Sequence, residues 1–128
     1  MNIDRKEVEL YLSDVKEAIN NDRYRLDRNA NRQDNIDLFL NYLIDEAKAK
    51  EILLSLMVTD FSSVVQNEHP GYEQERLFIF GKEVSLLERI GMEEKIVPIY
   101  IKFNKLENSY VIVISFHEQH YPLVYCFR

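Results

Sequence analysis

The stretch IVPIYIKFNKLENSYVIVISFHE, residues 96–118, holds two runs of β-branched and aromatic side chains around a polar hexapeptide. Such runs predict strands over Ile96 to Phe103 and Tyr110 to Phe116. Asn108 tolerates positive φ, so Asn108-Ser109 is expected to supply a two-residue hairpin turn. Glu107 then faces Tyr110, and the register carried outward sets Phe103 against Ile114 and Ile101 against Phe116. With Ile99 and Ile112, these residues form one apolar face, which belongs in a core. The other face pairs Asn104 with Val113, Lys102 with Ser115 and Tyr100 with His117. A slip of one residue would exchange the two faces, so burial tests the register directly.

Working outward, Asn67 to Gly71 is a turn cluster, and Leu77 to Phe80 reads as a buried strand ending at Gly81. Residues 82–95 fit a short helix or a loose excursion, and Tyr121 to Phe127 a last strand, with Pro122 marking an edge. The N-terminal half has a helical period instead. Val8, Leu12, Val15 and Ile19 make one stripe over residues 4–20, with Asp4 as N-cap and Glu7 at the capping-box position. Residues 21–35 are almost wholly polar and are expected to form a loop. Ile36, Phe39, Leu40 and Leu43 mark a second helix. Ala49, Ile52, Leu53 and Leu56 mark a third, capped by Asp45 and stopping near Thr59, with Asp60 capping a further turn through Val64. Helices before strands indicate an α+β class: one domain over 1–128, with N-terminal helices packed on a small antiparallel sheet.

The chain has 128 residues, 46% of them apolar, with eight Tyr and seven Phe, enough to build a core and to exclude disorder. Cys126 is the one cysteine, so an intrachain disulfide is excluded and a reducing compartment is expected. No apolar run approaches the roughly 20 residues that cross a bilayer, and the opening MNIDRKEVELYL lacks the apolar segment of a secretory signal. A soluble, cytoplasmic protein without membrane contact is expected. A net charge of −6 argues against polyphosphate binding over a wide surface, so contact with nucleic acid must use a local patch.

Tyr100, Lys102 and His117 converge on one end of the polar hairpin face. A histidine titrating near neutrality beside a lysine can run acid–base chemistry on a phosphodiester, the cation steadying charge on a pentacoordinate phosphorus. The plainer alternative is a cross-strand Tyr100–His117 pair with Lys102 in water. Arg23, Arg25, Arg28 and Arg32, with Tyr24 between them, suggest an edge that tracks phosphates; the alternative is a solvated loop balanced by Asp22, Asp27 and Asp34. His117-x-x-His120 has no zinc-finger partner pair, so no metal is expected. Ser62 and Ser63 lack a nucleophile elbow, and three scattered glycines make no phosphate loop.

The segments ILLSLMVTDF (52–61), Tyr72-Glu73-Gln74, PIYIKF (98–103) and VIVISFHE (111–118) resemble, in order, the motility quorum-sensing regulator (MqsR) toxins, and VKEAI (15–19) resembles their opening helix. The resemblance implies a RelE-like endoribonuclease that cleaves messenger RNA without a metal or cofactor and is silenced by a cognate antitoxin protein. Carried over by position, the family's catalytic Gln falls on Gln74, its Tyr on Tyr100, and its C-terminal active-site Lys on His117. The lysine that follows its Asp-Phe pair falls near Ser63. Lys102 and Arg76 are then the candidates for charge stabilisation. The rival expectation, from another class, is a catalytically inert scaffold that recognises a protein partner.

Overall fold

The computed structural model describes residues 3–29 and 31–128. Helix α1 spans Arg5–Asn20, and the Asp4 carboxylate caps it by accepting the Glu7 N–H at 2.8 Å. Its buried stripe is Val8, Tyr11, Leu12, Val15, Ala18 and Ile19, the expected face widened by Tyr11 and Ala18. Strand β1 (Tyr24–Leu26) follows, then α2 (Gln33–Asn41) and α3 (Glu46–Leu54). Asp45 caps α3 by accepting the Lys48 N–H. A single 3-10 turn (Val58–Asp60) leads into β2 (Phe61–Gln66), β3 (Arg76–Leu87), β4 (Glu94–Lys105) and β5 (Val111–Glu118). No helix among the described residues is long and apolar enough to cross a membrane.

The five strands form one sheet in the order β1-β5-β4-β3-β2. The last four in sequence form an antiparallel meander, and β1 joins β5 in parallel. The class is therefore α+β as expected, but the sheet is mixed: part of the polar 21–35 segment adds an edge strand. Phe78, Phe80, Val97, Ile99, Ile101, Phe103, Val111, Val113 and Phe116 share a core with the buried faces of the helices. Phe61 joins it, with its ring 5.5 Å from Phe80 and 5.9 Å from Phe78.

Three further expectations are corrected. The segment after Asp60 is strand, because the Asp60 carboxylate reaches back to the Met57 N–H and closes one turn only. Strand β3 does not end at Gly81 but runs to Leu87. It pairs with β4 along its whole length, so much of 82–95 is a long hairpin arm turning through Met92 and Gly91 at positive φ. Residues 121–127 are not a strand. They form an irregular strap, held by Ser62 Oγ on the Val124 carbonyl, Cys126 N–H on the Phe61 carbonyl, and Arg128 on Thr59 and Asp60.

The hairpin register is half as expected. Ile101–Phe116, Lys102–Ser115 and Tyr100–His117 pair as read from the sequence, whereas Phe103 faces Val113 and Asn104 faces Ile112. The turn is Glu107 to Ser109, with Ser109 at φ 66° and the Leu106 N–H bonded to the Tyr110 carbonyl. That longer turn shifts the register by one, and a bulge opposite Lys102 and Phe103 shifts it back. Ile114 is the extra residue. Ile112 and Ile114 consequently leave the core face, and Val111 and Val113 take their place there.

The bulge is held from outside the sheet. Beyond Val113, which accepts the Asp27 N–H, β1 no longer covers β5. The Asn35 side chain, 1% exposed, takes over: its Oδ1 accepts the Phe116 N–H at 2.9 Å, and its Nδ2 donates to the Ile114 carbonyl at 2.9 Å and the Asp27 carbonyl at 2.6 Å. One amide thus serves both polar groups of an interrupted ladder. Asn35→Ala strands a buried donor and two acceptors, and a loss on the order of 2–4 kcal/mol is expected in urea unfolding, with faster hydrogen exchange at the Phe116 amide. A loss below about 1 kcal/mol would mean that water replaces the clamp.

Candidate functional site

Among the described residues, no helix covers the sheet face turned away from α1 and α3. Strand alternation brings Leu77 and Ile79 of β3, Tyr100, Lys102 and Asn104 of β4, and Ile112 and Ile114 of β5 onto this face. Arg25 of β1 and Ser63 and Val65 of β2 border it, and the strap contributes Tyr121 to Val124. The result is an open trough of about 1160 Å³. The strap lies close because residue 81 is glycine: a Cβ there would sit 2.6 Å from Leu123 Cδ1 and 2.8 Å from Gln119 Nε2. Gln119 also donates to the Ile99 carbonyl, fixing the strap to β4.

The trough floor is apolar, and its charged lining is mixed: Arg25, Arg32 and Lys102 stand in it together with Glu68 and Glu75. Lys102 lies half-buried in the centre and makes no ion pair among the described residues. Burial, and then the Arg32 charge, hold its ammonium below the usual lysine value. Arg25 and Arg32 line the same trough and share one distant anion, each 3.9 Å from the Asp27 carboxylate. Asn104, another buried lining residue, donates to Glu75 at 3.0 Å, while its buried Oδ1 has no hydrogen-bond partner among the described residues. Tyr72 and His69 stand at the far end, ring edge to ring face.

Tyr100 and His117 pair across β4 and β5, and their rings stack with centroids 5.0 Å apart and planes 12° from parallel. Burial, and then Tyr121, push the Tyr100 phenol up, so it remains a neutral donor. His117 Nδ1 lies 2.8 Å from the Glu118 carbonyl, which can only accept; Nδ1 therefore carries the proton, and Nε2 is bare in the neutral ring. His120 stacks on the other face of His117, with centroids again 5.0 Å apart. A smaller cleft of about 210 Å³ joins His117, Ser115 and Asn35 to Arg32, which also lines the trough.

The residues singled out in the sequence thus divide into two groups. Tyr100, Lys102, Arg25 and Arg32 share the trough, and His117 stands at its rim. Gln74 stands in the exposed turn before β3 and is not among the lining residues. Arg76 faces the helix side, bonded to Glu7 at 3.1 Å and lying over the Phe78 ring. Arg28 is bonded to Glu46 at 2.9 Å over the Phe39 ring, and the Arg23 backbone carbonyl receives the Val111 N–H. Asp60 and Phe61, the Asp-Phe pair of the resemblance, are structural: the buried carboxylate meets Lys82 and Arg128, and the ring is core. Sequence reasoning missed Asn35, Tyr72 and the strap. Asn104 carried a signal, its place on the polar hairpin face, while Tyr72 was met only within a segment of the resemblance and residues 121–127 only as a strand.

Comparison with family models, curated proteins and solved structures finds no match to this chain. The chemistry of the trough therefore stands on its geometry alone.

An unpaired, half-buried cation costs stability. The folded chain releases the Lys102 proton more readily than the unfolded chain, so the penalty is fully present at neutral pH and fades as pH rises toward the usual lysine value of 10.5. Lys102→Met should therefore leave stability at pH 7 unchanged or raise it by up to about 1 kcal/mol in urea unfolding. A loss of that size would mean that Lys102 has a stabilising partner.

Proposed function

We propose that the trough binds single-stranded RNA and that Tyr100, Lys102 and His117 cleave it, making the chain a metal-independent, RelE-like endoribonuclease toxin. The observation that carries this reading is Lys102: a half-buried ammonium without an acidic partner, on the same face as Arg25 and Arg32. A phosphate supplies the missing anion, and two arginines along the trough suit the neighbouring phosphates of a strand. Tyr72 and Tyr121 offer faces on which bases stack. Arg25, Arg32 and Lys102 give a local patch of positive charge on a chain of net charge −6.

His117 Nε2 removes the proton of a 2′-hydroxyl, and the 2′ oxygen attacks the adjacent phosphorus. Lys102 and Arg32 stabilise the charge on the phosphorane. The P–O5′ bond breaks, the 5′ oxygen takes up a proton, and a 2′,3′-cyclic phosphate remains. Tyr100 holds the imidazole by stacking and donates its hydroxyl to a phosphate oxygen. Gln74, Arg23, Arg28 and Arg76 take no part in this step. In keeping with the resemblance, the partner is a cognate antitoxin protein and the setting the cytoplasm. The second reading, an inert scaffold for a protein partner, draws on the apolar floor of Leu77, Ile79 and Ile114.

Incubation of the purified protein with single-stranded RNA or translated messenger in EDTA should yield 2′,3′-cyclic phosphate ends. His117→Gln should reduce the rate by about 10²–10⁴-fold, with the protein still folded. Absence of cleavage with and without ribosomes, alongside tight capture of a protein, would favour the inert scaffold.

The arginines make a separate test. Arg25→Gln should weaken RNA binding and reduce the slope of log affinity against log salt by about 0.7, the value for one phosphate on a single strand. Arg28→Gln should change neither, because that side chain is committed to Glu46 and Phe39. Equal effects of the two variants would remove the trough from the binding path.

A further inference from the structure

We infer that Asp34, His117 and His120 form a site for a borderline divalent transition-metal ion, Zn²⁺ foremost. One ligand atom from each residue lies within 4.8 Å of the others. A tetrahedral Zn²⁺ with bonds of about 2.0–2.1 Å needs its ligands roughly 3.4 Å apart. His120 Nε2 and Asp34 Oδ2 are already 3.5 Å apart, and both side chains are more than half exposed; to ligate with His117, the exposed His120 ring turns out of its stack so that both imidazole lone pairs point at one ion.

Three independent features organise the set. The Glu118 carbonyl holds His117 in the tautomer whose Nε2 is free to ligate, the outer contact that metal-binding imidazoles commonly make. Tyr100 stacks on the far face of the His117 ring and limits its rotation. Asp34 precedes Asn35, whose amide ties the start of α2 to Ile114 and Phe116 of β5, so the carboxylate and His117 are fixed on opposite sides of one clamp. Two clefts, of about 210 and 310 Å³, both have Asp34 and His117 in their walls and leave the fourth coordination position open. Two imidazoles and one carboxylate favour zinc over magnesium or calcium, which prefer oxygen ligands.

Ligation would occupy the Nε2 that the proposed cleavage uses as a base. If the nuclease reading holds, on which this consequence rests, zinc switches the enzyme off. The ion is an inhibitor and not a cofactor.

The test begins without RNA. Calorimetric titration of the metal-free protein with ZnCl₂ should give one Zn²⁺ per chain. His120→Ala and Asp34→Asn should each weaken binding by about tenfold or more, and His69→Ala should leave it unchanged. Co²⁺ in place of Zn²⁺ should give the visible absorption of a tetrahedral site, lost in His120→Ala. No binding by the wild type, or unchanged affinity in both ligand variants, would overturn the site.

A cleavage arm then follows. Zn²⁺ should inhibit the wild type, while Asp34→Asn, measured against its own zinc-free rate, should resist the ion. Zinc binding with no cleavage under any condition supports the site and sinks only the nuclease reading. Cleavage that continues with the site filled overturns the switch.

Discussion

The Asn35 amide holds the interrupted strand β5 together. Strand β5 lies between β1 and β4, yet β1 is only three residues long and covers only the first part of it. Beyond Val113 the outer groups of β5 need partners, and they fall where the strand bulges. A second long strand would satisfy a regular edge but not a bulged one. A side-chain amide, with a donor and an acceptor on adjacent atoms, satisfies both groups of the irregular segment and also reaches Asp27. The same contact fixes α2 against β5, so the helix position and the bulge are determined together.

The bulge in turn decides which side chains face the trough. The three-residue turn at Glu107 to Ser109 shifts the register by one; continued outward, that shift would set Phe116 opposite Tyr100 and His117 opposite the core residue Ile99. The extra residue Ile114 reverses the parity. Phe116 stays in the core, Ser115 faces Lys102, and His117 stacks on Tyr100. Two irregularities cancel, which is why a simple two-residue turn, though not what forms, leads to the correct outer pairs. Alternation alone carried that half of the hairpin, because a buried phenylalanine and an exposed histidine cannot trade faces cheaply.

Local signals show where legibility ends. Asp4 and Asp45 were readable as caps because a cap needs only a carboxylate and the N–H three residues on. The exchange of Ile112 and Ile114 for Val111 and Val113 was not readable: all four are β-branched, and none prefers a face until the turn length is known. Strand β1 was hidden because Tyr24-Arg25-Leu26 is stabilised by β5, far away in sequence, and not by its own pattern. In the site, Tyr100, Lys102 and His117 were legible through one register. Gln74 and Arg76 came only from the resemblance and lie outside the trough. The four arginines looked like one patch, yet Arg28 is drawn to Glu46 and Phe39 while Arg25 and Arg32 turn to the open face.

The distribution of charge is informative because the protein is acidic. Most cations here are neutralised locally: Arg5 by Glu9, Lys50 by Asp22, Lys105 by Asp14, Lys82 by Asp60. Against that background, Lys102 lies half-buried with arginine as its charged neighbour. Packing alone does not require an ammonium there, since an apolar side chain would sit more comfortably beside Ile79 and Ile114. Burial and the Arg32 charge both disfavour the ammonium, and under the proposed function a bound phosphate would compensate it. His117 lies on the same two strands, opposite Tyr100, with its Nε2 free of the Glu118 contact. In the proposed nuclease, recognition and chemistry would share one short stretch of hairpin, and the faces of Lys102 and His117 both depend on the parity set at Ile114.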